Sequence, residues 1–387
     1  MRRREFIVLG SLSLVATPLW AVEAAPLVGF LAPLTGPYKA LGRQMVDAAQ
    51  MAATEQNAIL LVEDTQGEPE GALKAVDRLL ERKAQIAVGP IGVRESVTAA
   101  GWTSRNALPL ISLCSDPSLL SGPLVSRWRL SPFEQAEQLA SLVGGQRAAI
   151  LSPENEYGRG ATEGFISAWK SLGREVSCTA FYSAEKPDFR RALDELTGTR
   201  KFVGVGKSLA DKKADKFGYV TTGQRRRVDF DALFIPDFHP RVSRILGYLQ
   251  TVGIQDGDGG DGLAVQLLGL GGWRGKTMEL TGAKASGALI LDTFGGVDDG
   301  GRAEEFDRAF EAATSRQVTS FEAEVFDAVY LAAAAARKRP DAAHLALRSM
   351  IPWTGVAGQV GKTPDGSMKR IGRLYRFDID GHVVPVG

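Results

Sequence analysis

The sequence predicts an α/β protein built as two lobes of parallel sheet, and three observations carry that expectation. Short apolar runs recur along the chain. Most are followed by a helical period of roughly 10–15 residues, the signature of strand–helix–strand units with helices on both faces of a parallel sheet. The strands outnumber what one compact sheet carries, so they divide between two.

Leu27 to Leu31 reads as the first strand, closed by Thr35-Gly36-Pro37. Tyr38 to Thr54 reads as a helix, because Leu41, Met45, Ala48, Ala49 and Ala52 fall on one face. Ile59 to Val62 is the next strand. Pro69 opens the following helix, where its missing N–H costs nothing. Ile86 to Val88, Leu108 to Leu113, Arg127 to Leu130, Ala148 to Leu151, Val176 to Phe181, Ala232 to Ile235, Val265 to Gly269 and Ala288 to Leu291 are further strands. The break between lobes is expected near Ser131-Pro132, a second crossing near Gly282–Gly287 and a third near Pro352–Gly355. The tail differs in character. Arg373 to Phe377 and His382 to Val386 flank Asp378-Ile379-Asp380-Gly381, which predicts a β-hairpin. Lys201 to Val228 is rich in Lys and Arg and lacks an apolar period, so it reads as a solvated loop or a docking surface.

Composition narrows the function. The 387 residues suggest two domains, and 44% apolar content excludes a mostly disordered chain. A net charge of +1 removes the electrostatic basis for broad nucleic-acid binding. Two Cys and three His are too scattered for a structural zinc site, and no metal or cofactor is expected. Gly204-Val205-Gly206-Lys207-Ser208 lacks the first Gly of a phosphate loop, since that position is Lys201. Gly269-Leu270-Gly271-Gly272 lacks dinucleotide-binding spacing, with Arg274 at the last Gly position. Nothing requires catalysis, and a hydrolase in the cleft is the residual enzymatic reading.

The N-terminus reads as an export signal over residues 1–25. Arg2, Arg3 and Arg4 precede an apolar stretch from Phe6 to Trp20, too short to span a bilayer, with cleavage after Ala21 or Ala24. Arg3-Arg4-Glu5-Phe6-Ile7 resembles a twin-arginine signal. With no Cys near the cleavage site, the mature chain is expected free in the periplasm, without a membrane anchor. That oxidising space permits a Cys114–Cys178 bridge, although their placement on different lobes favours two free thiols.

Val28-Gly29-Phe30-Leu31-Ala32-Pro33-Leu34-Thr35-Gly36-Pro37, Gly89-Pro90, Pro109-Leu110-Ile111-Ser112, Glu156-Tyr157-Gly158 and Asp231-Ala232-Leu233-Phe234-Ile235-Pro236-Asp237 occur in one order and spacing. In this the chain resembles the type 1 periplasmic solute-binding proteins, the Leu/Ile/Val-binding kind, over essentially its whole mature length. Phe230 to Asp237, Gln266 to Gly269, Trp273 and Phe321-Glu322-Ala323-Glu324 before Phe326-Asp327-Ala328 look like the penicillin-binding protein activator group, which shares the fold.

The resemblance implies two Rossmann-like lobes joined by a three-strand hinge, residues 26–132 plus 283–352 and residues 133–282 plus 353–387. These close on a small molecule, and a periplasmic, non-enzymatic importer subunit delivering its ligand to an ABC permease follows. The alternative is a regulator of a peptidoglycan synthase, acting through protein contact. The ligand positions it implies are Leu41, Arg94, Ser115, Asp116, Tyr157, Phe238 and Trp273, with Cys114 beside Ser115 and His239 as an alternative to Phe238. Five of them have a plainer reading: Leu41 as core, Arg94 as a solvated helix start, Asp116 as a cap, Tyr157 as a loop brace, Trp273 as packing. The serine that holds an amino acid's carboxylate falls at Val93, and the acid that holds its ammonium falls at Gly271. Ordinary branched-chain amino acids are therefore expected to bind poorly, with Asp116 the nearest replacement acid.

Overall fold

β1 (Leu27–Ala32) is buried along nearly its whole length, as a strand covered on both faces must be. The computed structural model describes residues 24–119, 121–197, 199–205, 220–226, 228–251, 254–255, 263–364 and 367–386. The expected export signal lies outside them, apart from Ala24 and Ala25. β1 pairs with β2 (Ile59–Asp64) and β3 (Ile86–Val88); β4 (Leu110–Ser112) and β5 (Val125–Arg127) complete a parallel sheet of order β2-β1-β3-β4-β5. Helices α1 (Lys39–Glu55), α2 (Pro69–Glu81) and α3 (Val93–Arg105) make the returns, with Pro69 in the first turn of α2. Gly42 lets α1 approach the end of β1, because a Cβ there would lie 2.0 Å from the Pro33 carbonyl oxygen.

The second sheet repeats the plan. α4 (Pro132–Leu142) is followed by β6 (Arg147–Pro153), α5 (Glu156–Ser171), β7 (Glu175–Tyr182) and α6 (Phe189–Thr197). Then come a separate antiparallel ribbon, β8 (Thr199–Val205) with β9 (Val220–Arg226), and β10 (Ala232–Phe234). α7 (His239–Thr251), the short pair β11 (Ile254–Gln255) and β12 (Leu263–Ala264), β13 (Gln266–Leu270), α8 (Lys276–Glu279) and β14 (Leu289–Asp292) follow. β7-β6-β10-β13-β14 are parallel, in the same relative order as the first sheet.

After β14 the chain returns to the first core. α9 (Gly301–Thr314), α10 (Ser320–Lys338) and α11 (Ala343–Met350) pack there, with Ala332, Ala333, Ala335 and Ala336 of α10 in one buried cluster with Ala48, Ala49, Ala52 and Ala53 of α1. β15 (Trp353–Gly355), β16 (Gly358–Lys362) and β17 (Met368–Ile371) form an antiparallel sheet on the same core, through Val360 and Met368. β18 (Arg373–Phe377) and β19 (Val383–Pro385) then extend the second sheet beyond β14, and the Asp378–Gly381 turn is closed by the Asp378 carboxylate, which accepts from the Asp380 and His382 N–H groups at 2.9 and 2.8 Å.

Three expectations are corrected. The second crossing lies after Asp292 and not near Gly282–Gly287, because Leu289, Ile290 and Leu291 pair with β13. The third lies at Gly372 and not near Pro352–Gly355, because the strands after Trp353 are needed to cover the first core. Where a loop is expected over Lys201–Val228, the described residues form the ribbon of β8 and β9; residues 206–219 and 227 lie outside them. Cys114 and Cys178 are both free thiols.

Candidate functional site

Parallel sheets bind small molecules where loops leave the carboxyl ends of their strands. In the second sheet those loops carry Tyr157 after β6, Phe238 and His239 after β10, Gly271 and Arg274 after β13, and Asp292 at the end of β14. All of them line one cavity of about 460 Å³. The opposite wall is Ser115 and the first turns of α10, with Thr319, Ser320, Phe321 and Glu324; the crossing residues Arg129, Leu130 and Thr293 lie between.

The charges in the cavity are balanced. Arg274 Nε lies 2.9 Å from Asp292 Oδ2, and Arg129 Nε lies 2.6 Å from Glu324 Oε2. The two pairs differ in quality. Arg129 donates an aligned hydrogen bond to Glu324. Arg274 and Asp292 attract each other without one: Arg274 Nε and Nη2 and Asp292 Oδ2 are buried and make no hydrogen bond. Asp292 Oδ1 accepts from the Thr293 N–H at 2.7 Å, and Oδ2 lies against Arg274. Burial pushes the Asp292 carboxyl above the usual range, against the pull of Arg274, the Thr293 N–H and the Ser320 hydroxyl. His239 Nδ1 is likewise buried without a partner, and burial lowers its pKa, which favours the neutral ring. Unpaired buried polar atoms cost free energy, and a cavity that gathers them suits a polar ligand.

The aromatic side is held from behind. The Tyr157 and Phe238 rings lie 5.0 Å apart, a favourable packing distance. Burial, then the negative charges of Asp237 and Asp292, push the Tyr157 hydroxyl upward, so it stays protonated. Fully buried Asp237 fixes the Phe238–His239 loop: Arg241 binds it at 2.6 and 2.5 Å, the Tyr182 hydroxyl donates to it, and the Phe238 N–H donates to it at 2.7 Å.

Of the positions named from the sequence, Ser115, Tyr157 and Phe238 lie on this cavity, as does the alternative His239. Leu41 does not; it packs on the first core. Arg94 is exposed in the first turn of α3, away from the cavity. Asp116 turns its carboxylate onto the Ser118 N–H at 2.8 Å, a local turn role. Trp273 is fully buried, and its Nε1 donates to the Ile235 carbonyl at 2.8 Å. Sequence reasoning missed Arg129, Arg274, Asp292 and Glu324. Asp292 had a legible signal, a lone acid at the carboxyl end of an apolar strand. Arg129 and Glu324 had none, since they are 195 positions apart.

The architecture is the type 1 periplasmic binding protein fold. Residues 27–199 match the family model described as periplasmic binding protein. Among curated proteins, the chain is 28% identical over 232 residues to the penicillin-binding protein activator LpoA of Photobacterium profundum, covering 56% of this chain and 36% of that protein. It is 27% identical over 183 residues to the Leu/Ile/Val-binding protein BraC3 of Rhizobium johnstonii, covering 42% of this chain and 50% of that protein. The matches thus span only about a third to a half of those relatives' length. Among solved structures, an ABC transporter substrate-binding protein from Sphaerobacter thermophilus matches with a TM-score of 0.69 and 17% identity, over 94% of this chain and 97% of that one. LivJ of Streptococcus pneumoniae, solved with isoleucine, matches with a TM-score of 0.63 and 19% identity, over 94% and 99%. Among the described residues, no helix is long and apolar enough to cross a membrane.

Proposed function

We propose that this protein is a periplasmic, non-enzymatic receptor that closes its two sheet layers on a small polar molecule and passes it to an ABC permease. One observation carries the reading: a largely buried Arg274–Asp292 ion pair at 2.9 Å, with Arg274 Nη2 left without a hydrogen bond, lines a cavity walled by both layers. The volume of about 460 Å³ suits a metabolite-sized ligand. A ligand that offers a donor to Asp292 and an acceptor to Arg274, with a flat or apolar body on Tyr157 and Phe238, satisfies the unpaired atoms at once. Closure is then a population shift toward the state in which both walls touch the ligand.

Similarity to a penicillin-binding protein activator over 56% of the chain supports a second reading, a regulator acting by contact with a peptidoglycan synthase. Thermal shift against a metabolite library separates the two. A receptor gains about 2.7 kcal/mol at a hundredfold excess over Kd. The hit should shrink the radius of gyration in small-angle scattering, and Asp292→Asn should abolish the shift. No hit, together with direct binding to a synthase, selects the second reading.

A further inference from the structure

A two-layer receptor bends where the chain passes between layers, so what pins those crossings sets how far it bends. The described chain passes between the sheets at residues 128–131, at Thr293 and at Gly372. One side chain, Glu324 on α10, bonds to two of these places and lies near the third. Its Oε2 accepts from Arg129 Nε at 2.6 Å, at the first crossing. Its Oε1 accepts from the Thr293 hydroxyl at 2.9 Å, at the second. The same oxygen lies 3.9 Å from Arg370 Nε, two residues before Gly372. The Glu324 backbone carbonyl also accepts from Trp128 Nε1 at 2.8 Å.

We propose that Glu324 is the positioning residue of the hinge: its single carboxylate clasps the first two crossings to α10, while Asp327 on the same helix holds Arg370 near the third, and together they restrict the angle between the layers. The Glu324 carboxylate is 6% exposed, so its bonds are shielded from solvent competition. Rings brace the cations of the clasp, with Arg129 over Phe321 at 4.9 Å and Arg370 over Trp128 at 4.6 Å. From the other layer, Gln138 of α4 grips the third crossing, donating to the Arg370 carbonyl at 3.2 Å and accepting from the Gly372 N–H at 2.8 Å. Bending is thereby confined to the few residues between these grips. The clasp also explains the Phe321–Ala328 stretch of the sequence: Glu322 caps the helix, Glu324 clasps the crossings and Asp327 pairs with Arg370.

The test needs no ligand, so its outcome does not depend on whether the cleft is a receptor site. Spin labels at Glu81→Cys, on α2, and Lys170→Cys, on α5, report the distance between layers by double electron–electron resonance, in a Cys178→Ser background. Glu324→Gln keeps the shape and one acceptor but loses the charge that holds Arg129. The distance distribution should widen at least ~1.5-fold relative to the parent. Thr293→Val, which frees the second crossing alone, should widen it less. Unchanged distributions in folded Glu324→Gln and Thr293→Val would overturn the proposal. Should Glu324→Gln fail to fold, Thr293→Val and Arg129→Lys decide: widening supports the clasp, and parent-like distributions in both refute it.

Discussion

The carboxylate of Asp292 stands beside Gly271, in space that a side chain at 271 would need: a Cβ added to Gly271 would lie 2.7 Å from Asp292 Cγ. Register explains the relationship. Leu270 pairs with Leu291, so Gly271 and Asp292 are the next positions on adjacent parallel strands. The resemblance to amino-acid receptors places an acid at 271. Here an acid reaches nearly the same point from the neighbouring strand, and glycine is what leaves room for it.

That relationship revises the ligand expectation. Asp116 is committed to a local turn, so the nearest ammonium partner is Asp292. The carboxylate-holding serine is still missing, because Val93 lies half exposed at the start of α3, outside the cavity. One lost hydrogen bond to a charged group weakens binding by roughly 1.5–3 kcal/mol, about tenfold to a hundredfold. Titration calorimetry with leucine, isoleucine and valine should therefore give Kd values well above micromolar, unchanged by Asp116→Ala. Micromolar binding that vanishes in Asp116→Ala would show that the turn rearranges and the revised assignment is wrong.

Trp273 and Arg94 should separate cleanly by mutation. Trp273 is fully buried in the core of the second layer, so Trp273→Ala should destabilise by roughly 3–5 kcal/mol in urea unfolding. Arg94 is exposed, so Arg94→Ala should stay within about 0.5 kcal/mol and leave any ligand-induced thermal shift intact. A lost shift in Arg94→Ala would place that residue at the ligand after all.

Asp327 should leave a pH signature. It is fully buried and accepts from the Val356 and Ala357 N–H groups at 2.8 and 3.0 Å. Burial pushes its carboxyl up to about 6 from 3.8, although Arg370 and the two N–H groups pull the other way. The folded state then holds a proton that the unfolded state releases. Stability from this group is present below pH ~4 and is lost as pH rises toward ~6, at up to about 1.4 kcal/mol per pH unit. The stability of the parent minus that of Asp327→Asn should decline across that window. A difference that grows with pH would mean that Arg370 dominates and the carboxyl is depressed.

The ribbon of β8 and β9 pairs only with itself among the described strands. Replacing residues 200–226 with a short Gly/Ser linker should shift the thermal midpoint by only a few degrees, since loop length enters closure entropy weakly. A collapse of the midpoint would show that the segment supports the second core.

The sequence by itself determined most of the elements that build the two parallel sheets, but not the β8–β9 ribbon or the β15–β17 sheet. A run such as Leu27–Ala32 or Ala232–Phe234 declares a buried parallel strand, Pro69 marks a helix start, and Asp378 to Gly381 marks a turn, because each signal lies within a few residues of chain. The two-layer α/β class followed from those signals, while Tyr157 and Phe238 came from the resemblance to solute-binding proteins. Only the tertiary structure decided which strand neighbours which. It sent the second crossing past β14, drew Trp353 to Ile371 onto the first core, and turned Trp273 inward and Arg94 outward. The physical reason is range. Strand pairing and burial are won by competition among distant segments for one sheet edge and one core. The contacts that define the site join Arg129 to Glu324 across 195 positions, and Asp292 to the space beside Gly271 across a strand pair, and no local pattern encodes either.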